Sequence, residues 1–283
     1  MTQRLLSFLI YGVTNSIGVL AFLYPFWRTT LPATALQDRA HANDATLVLT
    51  VLVLLCFAVL LLEVQSQAVN TKTVALLGVL VAINATLRLI DSVLPIPGGF
   101  SPIFVLIILT GYVYGGRLGF LLGVLTIVVS ALLTGGVGPW LPYQMFAAGW
   151  VGMTAPLCRG VTRIGRNSKA ASRWEVVVLA GFGGLWGLLF GAIINIWFWP
   201  FAAGDPVHYW QPGISVLETL RRYLFFYLAT SLLWDLVGAI GNMLLIGTLG
   251  APVLRMLRRF HSRFDFTYQP IIDATAAPAG DPL

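Results

Sequence analysis

Charged side chains are scarce in this sequence. Only 10% of the 283 residues are Asp, Glu, Lys or Arg, whereas a soluble globular domain normally carries about a quarter. Hydrophobic residues make up 58% of the chain, and the mean hydropathy is +0.84. This composition excludes an ordinary soluble domain and indicates a membrane protein. Most of the net charge of +6 lies beside apolar stretches, which favours membrane topology over nucleic-acid binding as its explanation.

Cysteine, histidine and the common catalytic motifs are equally sparse. The two cysteines, Cys56 and Cys158, lie inside apolar stretches and do not form a disulfide framework. The three histidines are scattered, without the spacing of metal ligands. The chain also lacks a phosphate-binding GxxxxGK[ST] loop and the GxSxG and HExxH motifs. We therefore expect no metal, no cofactor, no nucleotide site of its own and no enzymatic activity.

Long apolar runs are what the chain has instead. They recur with lengths of about twenty residues, enough to cross a hydrocarbon core of roughly 30 Å. The fold class predicted from them is an all-α polytopic membrane protein. Eight spans are predicted, at 5–26, 45–63, 73–94, 101–116, 118–134, 142–158, 174–198 and 217–250.

The region 101–134 decides the number of spans. As one helix it would be about 50 Å long, too long for a single crossing. Gly115-Gly116-Arg117 offers a turn, because glycine accepts a positive φ without a Cβ clash. Eight spans with both termini inside also keep the basic loop 159–173 in the cytoplasm, as the positive-inside rule favours.

Small residues spaced four apart predict close helix packing. Gly183, Gly187 and Gly191 form one such set, and Gly111, Gly115, Gly119 and Gly123 form another, divided between two helices. We interpret both as internal packing. For Gly78 and Ala82, spacing alone leaves two explanations open, namely internal packing and docking of another membrane subunit.

Polar and aromatic residues gather at the predicted outer ends of the spans. A membrane-interface belt explains the tryptophans and tyrosines as well as a binding site does. It explains the polar side chains less well, because an unpartnered polar group in lipid is costly. Arg88 and Asp91 share a helix face and could pair. The candidate substrate-binding residues are Asn84, Arg88, Asp91, Trp140, Tyr143, Gln144, Asn195 and Trp199.

Asp235 is predicted to lie in the middle of the last span. An ionised carboxylate there costs about 2.5–3.5 kcal/mol on insertion scales. Two explanations stay open. Asp235 is either paired or protonated within the helix bundle, or it is the coupling site of a solitary secondary carrier.

Several motifs together resemble those of a known transporter family. They are Phe100-Ser101-Pro102, the stretch from Leu109 to Gly115, Gly119-Phe120-Leu121-Leu122-Gly123, the block from Gly135 to Ala147 that contains Gly138-Pro139-Trp140, and Gly241-Asn242. The chain resembles the substrate-binding S components of energy-coupling factor (ECF) transporters, and it is most similar to the vitamin and cobalamin-type branch.

The resemblance implies a six-helix substrate-binding core at 71–262. The chain departs from the family by two additional N-terminal transmembrane helices at 1–70, and the composition of 263–283 predicts a disordered cytoplasmic tail. The resemblance also implies a multi-pass protein of the bacterial plasma membrane whose pocket opens outward and binds a vitamin, with cobalamin as the expected ligand. The implied partners are an ECF transmembrane coupling subunit and two cytoplasmic ATPase subunits. Family members dock through Ala-x-x-x-Ala on the first core helix, and Gly78 and Ala82 occupy the matching positions.

Two other functions were weighed against this one. A solitary secondary carrier would use Asp235 for coupling. An intramembrane enzyme or assembly factor would belong to another class, and the missing catalytic constellation disfavours it.

Overall fold

A computed structural model describes residues 2–23, 71–93, 101–164, 173–201, 209–211 and 213–264, with the isolated positions 26, 47, 50, 51 and 54. These residues form helices, and the described part of the chain contains no strand. Most of the predicted span 45–63 and the tail beyond residue 264 lie outside the described residues. The predicted domain boundaries at 70 and 262 therefore stay predictions.

Nine helices are described. Four of them are long and apolar enough to cross a membrane, over Lys72–Val93, Gly116–Thr134, Arg173–Phe198 and Leu232–Ser262. Shorter apolar helices cover Leu9–Leu23 and Ile103–Tyr114. The chain is thus an all-helical, polytopic membrane protein, as predicted. The helices are α1 (Thr2–Leu23), α2 (Thr71–Val93), α3 (Ile103–Tyr114), α4 (Gly116–Thr134), α5 (Leu141–Thr154), α6 (Cys158–Ile164), α7 (Arg173–Phe198), α8 (Val216–Thr230) and α9 (Leu232–Phe264).

The predicted turn between α3 and α4 is confirmed. Gly115 has φ 106°, a conformation that side chains with a Cβ rarely adopt, and its amide donates to the Gly111 carbonyl at 2.9 Å. The predicted span 101–116 differs from expectation in its length. Its helix has 12 residues, about 18 Å, and residues 103–112 are all buried. The helix α3 is a short, enclosed core helix because its neighbours surround it on every side.

Glycines bring helix backbones into contact, as predicted. A methyl group on Gly119 would overlap the backbone of Gly152, and one on Gly123 would overlap that of Ala148, so α4 lies directly against α5. A methyl group on Gly187 would overlap the backbone of Ala239 in the same way, so α7 lies against α9. Both glycine sets therefore serve internal packing.

The predicted span 217–250 is wrong as a single helix. It forms two helices, which meet at Ser231, where φ is −124°. The Thr230 hydroxyl donates to the Phe226 carbonyl at 2.7 Å, and the Ser231 hydroxyl accepts from Asn195. Such hydroxyl bonds to the backbone bend helices. Asp235 consequently lies in the first turn of α9 instead of mid-span.

The N-terminal helix α1 packs against the core through specific side chains. Asn15 Oδ1 accepts a hydrogen bond from Trp150 Nε1 at 2.6 Å. The Phe22 ring lies 5.1 Å from that of Tyr143 and 5.6 Å from that of Trp150. Near the middle of α1, the Tyr11 ring lies 5.9 Å from that of Phe120 on α4. The second half of α1 therefore packs on α5, and Tyr11 packs on α4.

A buried carboxylate ties the helices together at the predicted cytoplasmic side. Glu175, at the start of α7, is 7% exposed. It accepts a hydrogen bond from the Tyr112 hydroxyl of α3 and forms an ion pair with Arg258 of α9. Arg159 donates to the carbonyls of Tyr112 and Val113. These bonds satisfy the end of α3, whose last carbonyls have no partner within the helix.

Candidate functional site

Arg88 is held between two neighbouring helices. One guanidinium nitrogen donates to Ser130 Oγ of α4 at 3.0 Å, and another donates to Gln144 Oε1 of α5 at 3.0 Å. The predicted Arg88–Asp91 pair does not account for these bonds, because the guanidinium is directed at α4 and α5. Asp91, one turn further along α2, is near enough to Arg88 for the two charges to attract each other, as their spacing predicts. The hydrogen bonds of Arg88 to α4 and α5 were not predicted.

Asn84 lies one turn deeper than Arg88 and is completely buried. Its amide nitrogen donates to the Ile103 carbonyl at 3.0 Å and to Thr126 Oγ1 at 3.2 Å. The side chain therefore joins α2 to the start of α3 and to α4. A buried polar side chain with two such bonds fixes the positions of these helices. Asn84 therefore helps to hold α2, and with it Arg88, in place against α3 and α4.

A cavity of about 200 Å³ opens beside Arg88. Polar side chains of its lining come from α2, α5 and α9. Its apolar wall includes Phe104 and Phe190, whose rings make an edge-to-face contact at 4.9 Å. The lining residues are Arg88, Asp91, Ser101, Ile103, Phe104, Ile127, Gln144, Gly187, Phe190, Trp234, Asp235, Gly238 and Asn242.

The α9 side of this cavity carries two acceptors without donors. Asp235 Oδ2 and Asn242 Oδ1 are both buried, and neither has a hydrogen-bond partner in the part of the chain that the structure describes. Gly191 of α7 allows the Asp235 carboxylate to approach, because a methyl group there would overlap it. Buried polar groups in folded proteins are nearly always paired. Both oxygens belong to residues of the cavity lining and could accept a hydrogen bond from a bound group.

Tyr143 and Trp140, two of the predicted site residues, lie outside the lining of this cavity. Tyr143 is 1% exposed, and its ring stacks on that of Trp197 at 5.0 Å with an interplanar angle of 7°. Trp140 is 42% exposed and lies over Gly138. Tyr143 thus supports the outer end of α5, and Trp140 lies at the surface, where interfacial tryptophans are common.

Asn195 and Trp199 also lie away from the lining. Asn195 donates to the Ser231 hydroxyl at 2.7 Å, which joins the end of α7 to the junction of α8 and α9. Trp199 is 1% exposed, with the Tyr223 ring 5.2 Å away and the Phe26 ring 6.2 Å away. These two residues position α8 and α9, and through them Asp235.

The amphipathic helix α8 is not among the four candidate spans. Ser215 caps its N-terminus by accepting from the Glu218 amide at 3.2 Å. Arg222 donates to Glu218 Oε1 at 2.8 Å and to the Tyr209 carbonyl at 3.1 Å. The bond from Arg222 holds the pKa of the Glu218 carboxyl below its usual value. These contacts connect α8 to the segment before it.

Sequence reasoning brought together only part of the site. Arg88, Asp91 and Gln144 were predicted, and all three line the cavity. Phe104, Phe190 and Trp234 were not proposed as lining, and Asp235 and Asn242 were noted for other reasons. The spacing of Asp235 and Asn242 in the sequence could have indicated that they lie together. They are seven residues apart, which is close to two helical turns and places both on one face of a helix.

A family model covers the part of the chain that forms this cavity. The model described as the substrate-specific component of ECF transporters matches residues 72–250, more than half of the 283-residue chain. The chain belongs to this family. Its match begins at the second residue of α2 and ends within α9, so it includes every residue that lines the cavity. No curated protein and no solved structure matched the chain.

Membership in the S-component family identifies a substrate-specific membrane subunit of a transporter. It also implies association with the ECF coupling and ATPase components. The helix α1 precedes the matched region, although it packs on α5 within it.

Proposed function

We propose that the chain captures a vitamin at the outer face of the bacterial plasma membrane and delivers it to an ATP-driven importer. The partners in this proposal are the ECF transmembrane coupling subunit and the two cytoplasmic ATPase subunits. The observation that supports binding most directly is the cavity between α2 and α9, where Arg88, Asp235 and Asn242 meet. Pockets with an apolar wall and a few convergent polar groups are typical of small-molecule sites.

The size of the cavity bears on the choice of vitamin. Its volume of about 200 Å³ lies below the range of roughly 300–1,000 Å³ that is usual for drug-sized ligands. Cobalamin, the ligand expected from the resemblance, is far larger and would require α2 and α9 to separate. We therefore favour a small vitamin with one or two rings. Arg88, Asp91 and Gln144 are proposed as contacts, while Asn84, Trp140, Tyr143, Asn195 and Trp199 support or surround the site.

Gly78 and Ala82 are proposed as the docking surface for the coupling subunit. Both are exposed, as is Ala75 one turn before them. A methyl group built on Gly78 meets no atom of the described residues within 4 Å. Internal packing among these helices therefore does not explain the small residues. A smooth helix face of this kind allows close approach of a second membrane helix.

The test compares binding with uptake. The purified chain is analysed by native mass spectrometry for a carried ligand and by calorimetry against a panel of vitamins. Cells that express the chain with or without a coupling module are then given the radiolabelled vitamin that binds. We expect binding by the chain alone and uptake only with the module. Uptake by the chain alone that is independent of ATP would contradict the proposal.

A solitary secondary carrier is the second candidate, because Asp235 lines the cavity and one of its oxygens has no hydrogen-bond partner among the described residues. In that mechanism Asp235 would exchange a proton or cation during each cycle. Asp235→Asn would then abolish uptake while leaving ligand affinity intact. The importer proposal predicts instead that any effect of this substitution is seen first in binding.

A further inference from the structure

We propose that the ligand carries a protonated nitrogen that binds Asp235, a second N–H group that reaches Asn242, and an acceptor group that faces Arg88. This inference rests on the proposed function, since it names the substrate class of that same cavity. The observation behind it is the pair of unpartnered acceptors on α9, opposite a guanidinium on α2.

Asn242 is the more constrained of the two acceptors. Its side chain is 1% exposed, and Nδ2 donates to the Gly183 carbonyl at 3.3 Å. That bond fixes the orientation of the amide, because an exchange of its oxygen and nitrogen would set two acceptors against each other. Oδ1 is then left without a donor among the described residues, on a side chain that lines the cavity. A ligand with an N–H group there would satisfy an acceptor that the described residues leave unpaired.

Asp235 is the charged acceptor of the two. It lies in the first turn of α9, where the positive end of the helix dipole stabilises a carboxylate. The Tyr227 hydroxyl approaches the carboxyl group, yet Oδ2 has no partner among the described residues. The basic residue in the cavity lining, Arg88, donates to Ser130 and Gln144 instead. A cation from outside the chain would therefore complete this site.

The separation of the two acceptors requires two N–H groups on the ligand, one for each acceptor. The acceptors are seven residues apart on α9, about 10 Å along the axis at 1.5 Å per residue. Asn242 therefore lies two turns deeper than Asp235, and both line one cavity. A ring between them would contact Phe104 and Phe190, whose edge-to-face pair offers an apolar surface. The Arg88 guanidinium, on α2, would receive a hydroxyl, carbonyl or carboxylate at the other end.

Ordered water is the alternative occupant. Water takes about 30 Å³ of volume per molecule in the liquid and commonly satisfies buried polar groups. A cavity filled by water around Asp235 and Asn242 would impose no preference for a cation. The charge preference of the ligand therefore distinguishes the two occupants.

The test is a set of binding measurements on the full chain in detergent. The cationic probes are thiamine and pyridoxamine. Pyridoxine serves as the matched probe for pyridoxamine, because it has the same ring and carries a hydroxymethyl group in place of the aminomethyl group. Nicotinic acid, pantothenate, biotin and cyanocobalamin complete the set. Each is titrated into the wild type, Asp235→Asn and Asn242→Leu. Glu218→Gln is the control, since it removes a carboxylate on α8, outside the cavity lining.

We expect a cationic probe to bind the wild type at least tenfold more tightly than its uncharged counterpart. Asp235→Asn is expected to weaken that binding roughly 10- to 100-fold, and Asn242→Leu to weaken it less, while Glu218→Gln leaves it unchanged. The wild-type preference alone tests the proposal if either cavity variant fails to fold.

Two results would overturn the inference and leave the proposed function in place. One is tight binding of an anionic or neutral vitamin with no preference for a cation, and the other is cation binding that Asp235→Asn does not weaken. No binding of any vitamin would instead contradict the proposed function, and the inference with it.

Discussion

Arg88 and Gln144 are 56 residues apart in the sequence, and Arg88 donates to Gln144 Oε1 at 3.0 Å across the cavity wall. The bond joins α2 to α5, and the second bond of Arg88, to Ser130, joins α2 to α4. Hydrogen bonds to a charged group contribute about 1.5–3 kcal/mol. The guanidinium is consequently held in one orientation before a ligand enters, which lowers the ordering cost of binding.

Gln144→Leu tests this preorganisation. The substitution keeps a side chain of similar length and removes the acceptor, so Arg88 loses one of its two orienting partners. We expect the affinity for the ligand to fall about tenfold, which corresponds to about 1.4 kcal/mol. Arg88→Met is expected to lower it further, because it removes the charge as well. Calorimetry on the purified variants measures both effects, and an unchanged affinity in Arg88→Met would remove Arg88 from the site.

A second prediction concerns the N-terminal helix. Trp150→Phe keeps an aromatic ring against Phe22 but removes the donor that Asn15 Oδ1 accepts. The partly buried acceptor then loses this donor, and we expect the free energy of unfolding to fall by about 0.5–1.5 kcal/mol. Thermal unfolding in detergent measures the change. Asn15→Leu and the double variant complete a cycle, in which a coupling near zero would show that the bond does not hold α1.

The sequence predicted the elements of this fold better than the pairings between them. Continuous apolar runs and the Gly115 turn are local signals, and the helices followed them closely. The break at Ser231 could not be read in the same way, because it depends on Asn195, which lies 36 residues away. The same holds for the site. Arg88 was recognisable as a costly residue in an apolar helix, whereas its partners on α4 and α5 depend on how three helices pack.

The enclosed helix α3 shows why an apolar run can be mistaken for a membrane span. An apolar run is read as a membrane span because lipid and protein interior are both apolar solvents. Length separates the two cases, and 12 residues is closer to a buried core helix than to a crossing. The composition of the run from Ile103 to Tyr114 carries no sign of which environment surrounds it.

A third prediction separates glycines in contact with backbone from glycines in open space. Gly119→Ala places a methyl group against the backbone of Gly152 and the Cα of Gly111, where no rotamer change relieves the overlap. We expect a loss of about 1–3 kcal/mol or more from overpacking. Gly247→Ala is the matched control, since nothing lies within 4 Å of the added methyl group. The unfolding temperature of Gly119→Ala should fall below that of the wild type, and that of Gly247→Ala should rise above it.

A fourth prediction concerns the buried carboxylate at the predicted cytoplasmic side. Glu175→Gln leaves Arg258 without its ion-pair partner and weakens the bond from Tyr112. Breaking a buried pair by removing one partner costs about 3–5 kcal/mol, and the partial exposure of Arg258 places the expectation at the lower end. Chemical unfolding measures the loss. Tyr112→Phe removes the hydroxyl that bonds Glu175 and Thr162 but keeps the ion pair. It is expected to cost less, so an equal effect would contradict the assignment of the stabilisation to the ion pair.

The last prediction separates docking from binding. Gly78→Leu places a bulky side chain on a face of α2 that meets no described residue, so the fold and the cavity on the other side of α2 should be unaffected. We expect ligand affinity and unfolding temperature to stay at wild-type values. Uptake and co-purification with the coupling subunit should be lost, because close approach of a second helix requires a small residue at this position.

Val79→Leu is the control for this experiment. Val79 is 56% exposed and lies next to Gly78 in the sequence, but its side chain projects about 100° away around the helix. A larger side chain there should leave uptake intact if docking is confined to the face of Gly78 and Ala82. Equal losses of uptake in both variants would indicate that uptake depends on the exposed surface of α2 in general and not on the face of Gly78 and Ala82. A loss of affinity in Gly78→Leu would show that this residue acts through the cavity, which would contradict a separate docking surface.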